Sequence, residues 1–278
     1  MSEYPLTILD VFAERKLQGN QLAVVEHAAA LSTEQMQAIA LETNFSETTF
    51  VTARSPGRAT VRIFTPGQEL PFAGHPTVGT AWLLSGGQGQ IALDLAAGEV
   101  AVEFDAAGIG WMTPPPVQFQ SVVSAEHAAA ALGLAAGDID ANLPVETAEV
   151  GPRFLLVPVR NLAALRALRV NMDVVTELSE AGGRLSVFAF TFEAYEAGAD
   201  IAARMFFDAA GVREDPATGS ANTALAAYLR KHQGDRGLVT VDQGVEIGRA
   251  SRLYLKVGEP IQVGGKVHAV LKGTLTPD

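Results

Sequence analysis

Two short stretches of the chain hold the residues best suited to chemistry. Residues 69–76 read E-L-P-F-A-G-H-P, and residues 214–221 read E-D-P-A-T-G-S-A. Each follows a strand-like run (R-I-F-T at 62–65, R-M-F-F at 204–207) and opens a helix-like run (T-V-G-T-A-W-L-L at 77–84, N-T-A-L-A-A-Y-L at 222–229). Helix N-termini carry unpaired N–H groups and partial positive charge, so each turn is suited to a carboxylate or phosphate. His75 sits just before Pro76 at the mouth of the first helix. An imidazole there can donate to an anion or relay a proton, or it can simply close the helix end. Asp215 and Ser220 flank the second turn. Asp215 can orient His75 or act as a second acid, while Ser220 and the amides near Thr218 and Gly219 can bind a carboxylate. The plainer alternative is that Asp215 or Thr218 is only an N-cap, worth about 0.5–2 kcal/mol.

Among the remaining side chains Glu47 is the sharpest acid/base candidate. It starts an apolar strand, with Phe45 and Phe50 nearby, ahead of the first glycine turn. Apolar neighbours favour the protonated form of a carboxyl group, which suits a residue that takes and returns a proton near neutrality. The alternative is a strand-end glutamate facing solvent. His27, His127, His232 and His268 show no H-x-H or H-E-x-x-H spacing, so no metal site is expected. T-G-S-A-N lacks the second glycine of a nucleophile elbow. G-G-Q-G-Q at 86–90 follows a helix instead of a strand and is no dinucleotide fingerprint. A G-x-x-x-x-G-K-[ST] loop for ATP is missing as well.

Composition narrows the classes further. With 278 residues, 48% hydrophobic and 18% charged, the chain can fold as two ordinary domains. A formal charge of −11 argues against a nucleic-acid partner and requires that any grip on an anion be local. No apolar run approaches the ~20 residues of a membrane span, and M-S-E-Y-P does not resemble a signal peptide, so a cytoplasmic protein without a membrane partner is expected. The absence of cysteine excludes thiol acid–base pairs and Cys-ligated metals.

The elements that must position these residues repeat. Gly74 and Gly219 lie 145 residues apart, about half the chain. S-E-T-T-F at 46–50 precedes the first turn and S-V-F-A-F at 186–190 the second; G-N-Q-L-A-V-V at 19–25 has a counterpart in G-P-R-F-L-L-V at 151–157, and A-G-E-V at 97–100 in Q-G-V-E-I at 243–247. The period is too long for a solenoid and indicates a duplicated domain. Short Val/Ile/Phe-rich runs punctuated by Gly, Asn or Pro dominate, and helices are expected near 33–43, 76–85, 124–133, 161–168, 172–181 and 220–232. The fold class is therefore α+β: two pseudo-symmetric halves, each a curved, mostly antiparallel sheet around a central helix. The expected domains are 1–115, joined by the C-terminal strand at about 263–278, and 116–262, with T-P-P-P-V at 113–117 as linker.

These motifs resemble those of the phenazine-biosynthesis PhzF-like isomerase family. The matching segments are G-N-Q-L-A-V-V at 19–25, N-F-S-E-T-T-F-V at 44–51, R-I-F-T-P at 62–66, E-L-P-F-A-G-H-P, G-P-R at 151–153, E-D-P-A-T-G-S-A and Q-G-V-E-I-G-R at 243–249. The resemblance implies a diaminopimelate-epimerase-like fold, a ligand cleft between the halves and a homodimer. It also implies isomerisation of trans-2,3-dihydro-3-hydroxyanthranilic acid without a cofactor. Glu47 matches the family's acid/base, and His75, Asp215 and Ser220 its supporting polar residues. Gly74 and Gly219 match the turns whose amides hold the carboxylate; Asn20, Ser46 and Thr218 are further expected substrate-binding positions. Two other readings stay open: an isomerase or epimerase of a different small carboxylic acid, and a non-catalytic carboxylate-binding protein.

Overall fold

A computed structural model of the chain describes residues 3–179, 184–208 and 212–277. It divides into two compact units, Met1–Pro114 with Gly264–Asp278, and Pro115–Val263. In the first, β1 (Tyr4–Val11) pairs antiparallel with β2 (Asn20–Val25), and β2 runs parallel to β3 (Glu47–Ser55). β3 turns back into β4 (Arg58–Phe64), which meets the two-residue β5 (Glu69–Leu70) antiparallel and β6 (Gly89–Leu95) parallel. β7 (Gly98–Phe104) and β8 (Gly110–Met112) continue the sheet antiparallel.

The second unit repeats this order. β9 (Gln118–Val123) and β10 (Val145–Glu149) lead into β11 (Arg153–Pro158), and β11 runs parallel to β12 (Leu185–Thr191). β12 turns back into β13 (Ile201–Asp208), which meets β14 (Val212–Asp215) antiparallel and β15 (Gly237–Gln243) parallel; β16 (Ser251–Val257) follows. β17 (Gln262–Gly265) spans the boundary, and β18 (Val267–Leu275) returns to pair antiparallel with β1. The succession of parallel and antiparallel neighbours from β2 to β7 is that from β11 to β16, which is the signature of a duplicated fold.

Helices occupy matching places too. α1 (Thr33–Thr43) starts on a capping box in which Gln35 N–H donates to Ser32 Oγ (3.2 Å) and Ser32 N–H to Gln35 Oε1 (3.0 Å). α2 (Gly74–Ser85) is apolar nearly all round and buried, with Pro76 in its first turn and Gly86 closing it in the left-handed conformation. In the second unit α3 (Ala125–Leu132), α4 (Leu162–Ala167) and α5 (Met172–Glu177) cover the sheet, and α6 (Gly219–Gln233) is the buried counterpart of α2. α5 ends earlier than its expected span, whose last positions, 180–181, lie outside the described residues.

The strands β5, β9, β14 and β17 carry no apolar run of their own in the sequence. β9 alternates exposed and half-buried along Q-F-Q-S-V-V, so its polar residues dilute the apolar pattern. β5, β14 and β17 are two to four residues long, too short to show a period.

A second duplication is written in side chains. Arg62 on β4 grips Glu69 on β5 with both nitrogens (2.7 and 2.7 Å) and lies 5.0 Å from the Phe64 ring centroid. Arg204 on β13 grips Glu214 on β14 at 3.0 and 2.6 Å and lies 4.8 Å from the Phe206 ring centroid. Each clamp ties down the short strand leading into a glycine turn; bidentate guanidinium–carboxylate pairing fixes geometry as well as distance.

Candidate active site

The first glycine turn follows β5 and feeds α2. Ala73 is the N-cap and makes no side-chain cap bond; Gly74 and His75 are the first two helical residues. Packing of α2 inside the sheet leaves His75 3% exposed. Burial pushes its pKa down to about 3, opposed by a hydrogen bond to the Gln21 backbone, so the ring is neutral at physiological pH. Asn20, 1% exposed at the start of β2, places Nδ2 3.3 Å from His75 Nδ1.

The parallel register of β2 and β3 sets Glu47 opposite Leu22, at the entry of β3. Its Oε2 stands 3.5 Å from His75 Nε2, and the Glu47 side chain is 16% exposed. Among the described residues nothing hydrogen-bonds His75 Nε2, a buried atom facing that carboxylate. Ser46 is half-buried beside Glu47. The first unit thus brings together Asn20, Ser46, Glu47, Gly74 and His75. A carboxyl group beside a neutral imidazole and a helix N-terminus can exchange a proton with a bound anion without a fixed cation stabilising the carboxylate.

The second turn follows β14 and feeds α6, with Gly219 and Ser220 as the first helical residues. Thr218 occupies the N-cap position, yet its side chain makes no cap bond. The Thr218 side chain is therefore not the cap of α6. Thr218 Oγ1 instead donates to Asp215 Oδ2 at 2.5 Å. Asp215, Thr218 and Ser220 are all buried. The second unit thus brings together Asp215, Thr218, Gly219 and Ser220.

Two residues in this half went unremarked in the sequence. Gln243, at the end of β15 and 0% exposed, donates from Nε2 to Asp215 O (2.9 Å) and Thr218 Oγ1 (3.1 Å). Its Oε1 accepts from Thr218 N–H (3.3 Å) and from Asn222 Nδ2 (3.0 Å), and Asn222 Nδ2 also reaches Thr218 O at 3.0 Å. Gly244, which follows Gln243, takes φ +74°, and a Cβ there would stand 2.5 Å from both Pro216 O and Arg249 O. Among the described residues no group of three or more His, Cys, Asp and Glu is placed to hold a metal ion, and no helix is long and apolar enough to cross a membrane.

Each half of the fold offers a carboxylate at a helix mouth, and the relatives that match over most of the chain are isomerases, the class to which this chain belongs. The phenazine biosynthesis-like protein family (PhzC–PhzF) matches residues 9–274, and the chain belongs to this family. It is 37% identical to a trans-2,3-dihydro-3-hydroxyanthranilate isomerase from Pseudomonas aeruginosa, over 96% of this chain and 97% of that protein. The isomerase of that name from Pseudomonas chlororaphis is 38% identical over 90% of this chain and 88% of its own length. A solved PhzF-family protein from Bacillus anthracis superposes with a TM-score of 0.89 at 28% identity, covering both chains fully. The fold extends to a hydroxyproline epimerase from Agrobacterium vitis, with a TM-score of 0.61 at 13% identity over 98% of this chain and 92% of that one.

Proposed function

We propose that the chain isomerises trans-2,3-dihydro-3-hydroxyanthranilic acid, or a small carboxylic acid of the same type, by moving one proton within the substrate. Glu47 is the group that moves it. The carboxylate takes a proton from one carbon of the conjugated ring and, as the acid, returns it to another carbon of the same π-system. Substrate and product are isomers, no electrons enter or leave, and Glu47 ends as it began, so the step needs neither metal nor redox cofactor. The supporting observation is the 3.5 Å approach of Glu47 Oε2 to the buried His75 Nε2, whose ring is neutral. A cation there would hold Glu47 ionised and make it a poor proton donor on the return step.

The substrate carboxylate is assigned to N–H groups at a helix mouth, with Gly74, Asn20 and Ser46 as the candidates in the first unit and Gly219 and Thr218 as those in the second. Asp215 and Ser220 support from the second turn. The resemblance to the family further points to a cytoplasmic homodimer, which light scattering on the purified protein would test.

The deciding experiment is proton NMR in deuterated buffer with trans-2,3-dihydro-3-hydroxyanthranilic acid. The wild type is expected to consume it, and deuterium at carbon in the product would report how often the proton on Glu47 exchanges with solvent before it is returned. Glu47→Gln, which keeps shape but cannot carry the proton, is expected to lose about 10²–10⁴-fold in rate. An inert wild type would move the search to other small carboxylic acids. Full activity in Glu47→Gln would remove Glu47 from the chemistry.

A further inference from the structure

Gln243 is a fully buried carboxamide, and fully buried amides are costly unless all their groups are bonded. Its orientation is fixed by backbone partners: Thr218 N–H can only donate, so Oε1 faces it, and Asp215 C=O can only accept, so Nε2 faces that side. The direction of the next bond follows. Nε2 also faces Thr218 Oγ1 at 3.1 Å, and because an amide N–H cannot accept, the hydroxyl receives that bond. Its own proton is then directed to Asp215 Oδ2, 2.5 Å away. The amide bond occupies one acceptor site of the hydroxyl and leaves its proton for the carboxylate, so Asp215 is met by a donor held in place.

The first unit shows what the turn needs without this device. There the residue matching Gln243 is Ala97, whose backbone N–H donates to Pro71 O at 3.0 Å, and the residue before Pro71 is Leu70. The residue before Pro216 is Asp215, and beside this turn the chain supplies Gln243. The carboxamide occurs in the turn that carries the carboxylate, and the matching position of the other turn has alanine.

We propose that Gln243 is a positioning residue of the isomerase: acting through Thr218, it holds the Asp215 carboxylate in one orientation for the reaction. This rests on the proposed role of Asp215 above. Gln243 touches no reacting atom and acts through the hydroxyl it orients.

The test replaces the donor and keeps the shape. Gln243→Glu puts an acceptor where Nε2 donates, so kcat is expected to fall about 10–100-fold with KM changed less than about threefold, the pattern of a misplaced group. Part of the loss is expected to return at lower pH, where the introduced carboxyl regains a proton to donate. Thr218→Val should cost a similar factor, and the double variant no more than Thr218→Val alone, because both act through one hydroxyl. A kcat within about twofold of wild type for Gln243→Glu, or losses that multiply in the double variant, would overturn the proposal.

An activity-independent reading separates this idea from the functional one. The Thr218 hydroxyl proton, held against a carboxylate, should give a low-field proton NMR signal that is absent in Thr218→Val and displaced in Gln243→Glu. If the wild type turns over no substrate, the functional reading fails, and this signal still decides whether the clamp exists. A signal unmoved by Gln243→Glu overturns it. Should that variant not fold, Gln243→Met, uncharged and of similar length, is read in the same way.

Discussion

His75 Nε2 and Glu47 Oε2 face each other across 3.5 Å, and burial makes the imidazole the neutral member of the pair. A histidine beside a carboxylate usually gains a proton and becomes its counter-ion. Here desolvation outweighs that pull: α2 is packed inside its sheet and leaves His75 3% exposed, so charging the ring would take a cation out of water. The fold thus chooses the protonation state of His75.

The neutral ring has a cost at acid pH. An unfolded histidine titrates near 6.5, whereas folded His75 is pushed down to about 3. Between these values the unfolded chain binds a proton that the folded chain does not, so stability is complete above pH 6.5 and falls as pH drops towards 3. The slope from this group approaches about 1.4 kcal/mol per pH unit. Urea unfolding at pH 7.5 and pH 5 should show this loss in the wild type and a clearly smaller loss in His75→Gln. Equal losses would mean that His75 is protonated in the folded protein.

Much of this was legible because duplication makes the sequence its own comparison. Glu47, His75 and Asp215 stood out through residue type and distance from a repeated glycine turn, and the capping box of α1 was readable from Ser32 and Gln35 alone. Gln243 was not, since a buried glutamine leaves no local trace: its partners Asp215, Thr218 and Asn222 lie 21 to 28 residues away. The Arg–Glu clamps were hidden for the same reason. Arg62 and Glu69 are separated by 7 residues and Arg204 and Glu214 by 10, so no fixed spacing announces them. Pairing across strands is set by register, which a single sequence records poorly when β5 and β14 are so short.

Gly244 offers a test of how rigidly the second turn must be held. Alanine there meets two penalties: a left-handed φ of +74°, and a Cβ 2.5 Å from the carbonyl oxygens of Pro216 and Arg249, backbone atoms that cannot step aside. Gly98, in the corresponding stretch of the first unit, has φ +119° and nothing within 4 Å of its Cβ position. Gly98→Ala should therefore cost only the backbone strain, about 1 kcal/mol, and Gly244→Ala about 3 kcal/mol, with activity lost as the turn bearing Asp215 shifts. Chemical denaturation of the two variants measures the difference; equal costs would show that the turn yields.

The repeated clamps allow a cleaner comparison, because the paired groups are the same and burial is the main difference. The Arg204 and Glu214 side chains are 10% and 7% exposed, those of Arg62 and Glu69 30% and 35%. Arg204 also donates from Nη1 to Leu165 O at 3.2 Å, so it is fixed from both sides. Removing one charge from a buried pair leaves the other stranded, at about 3–5 kcal/mol, whereas a solvated pair contributes about 0–1 kcal/mol. Glu214→Gln should therefore destabilise by several kcal/mol, and Glu69→Gln by less than about 1 kcal/mol. Replacing Arg204 and Glu214 together by apolar residues of similar volume should recover much of the loss, since no charge is then left unpaired. Urea midpoints for the three proteins decide it: equal losses in the two single variants would mean that water reaches the Arg204–Glu214 pair as readily as its counterpart.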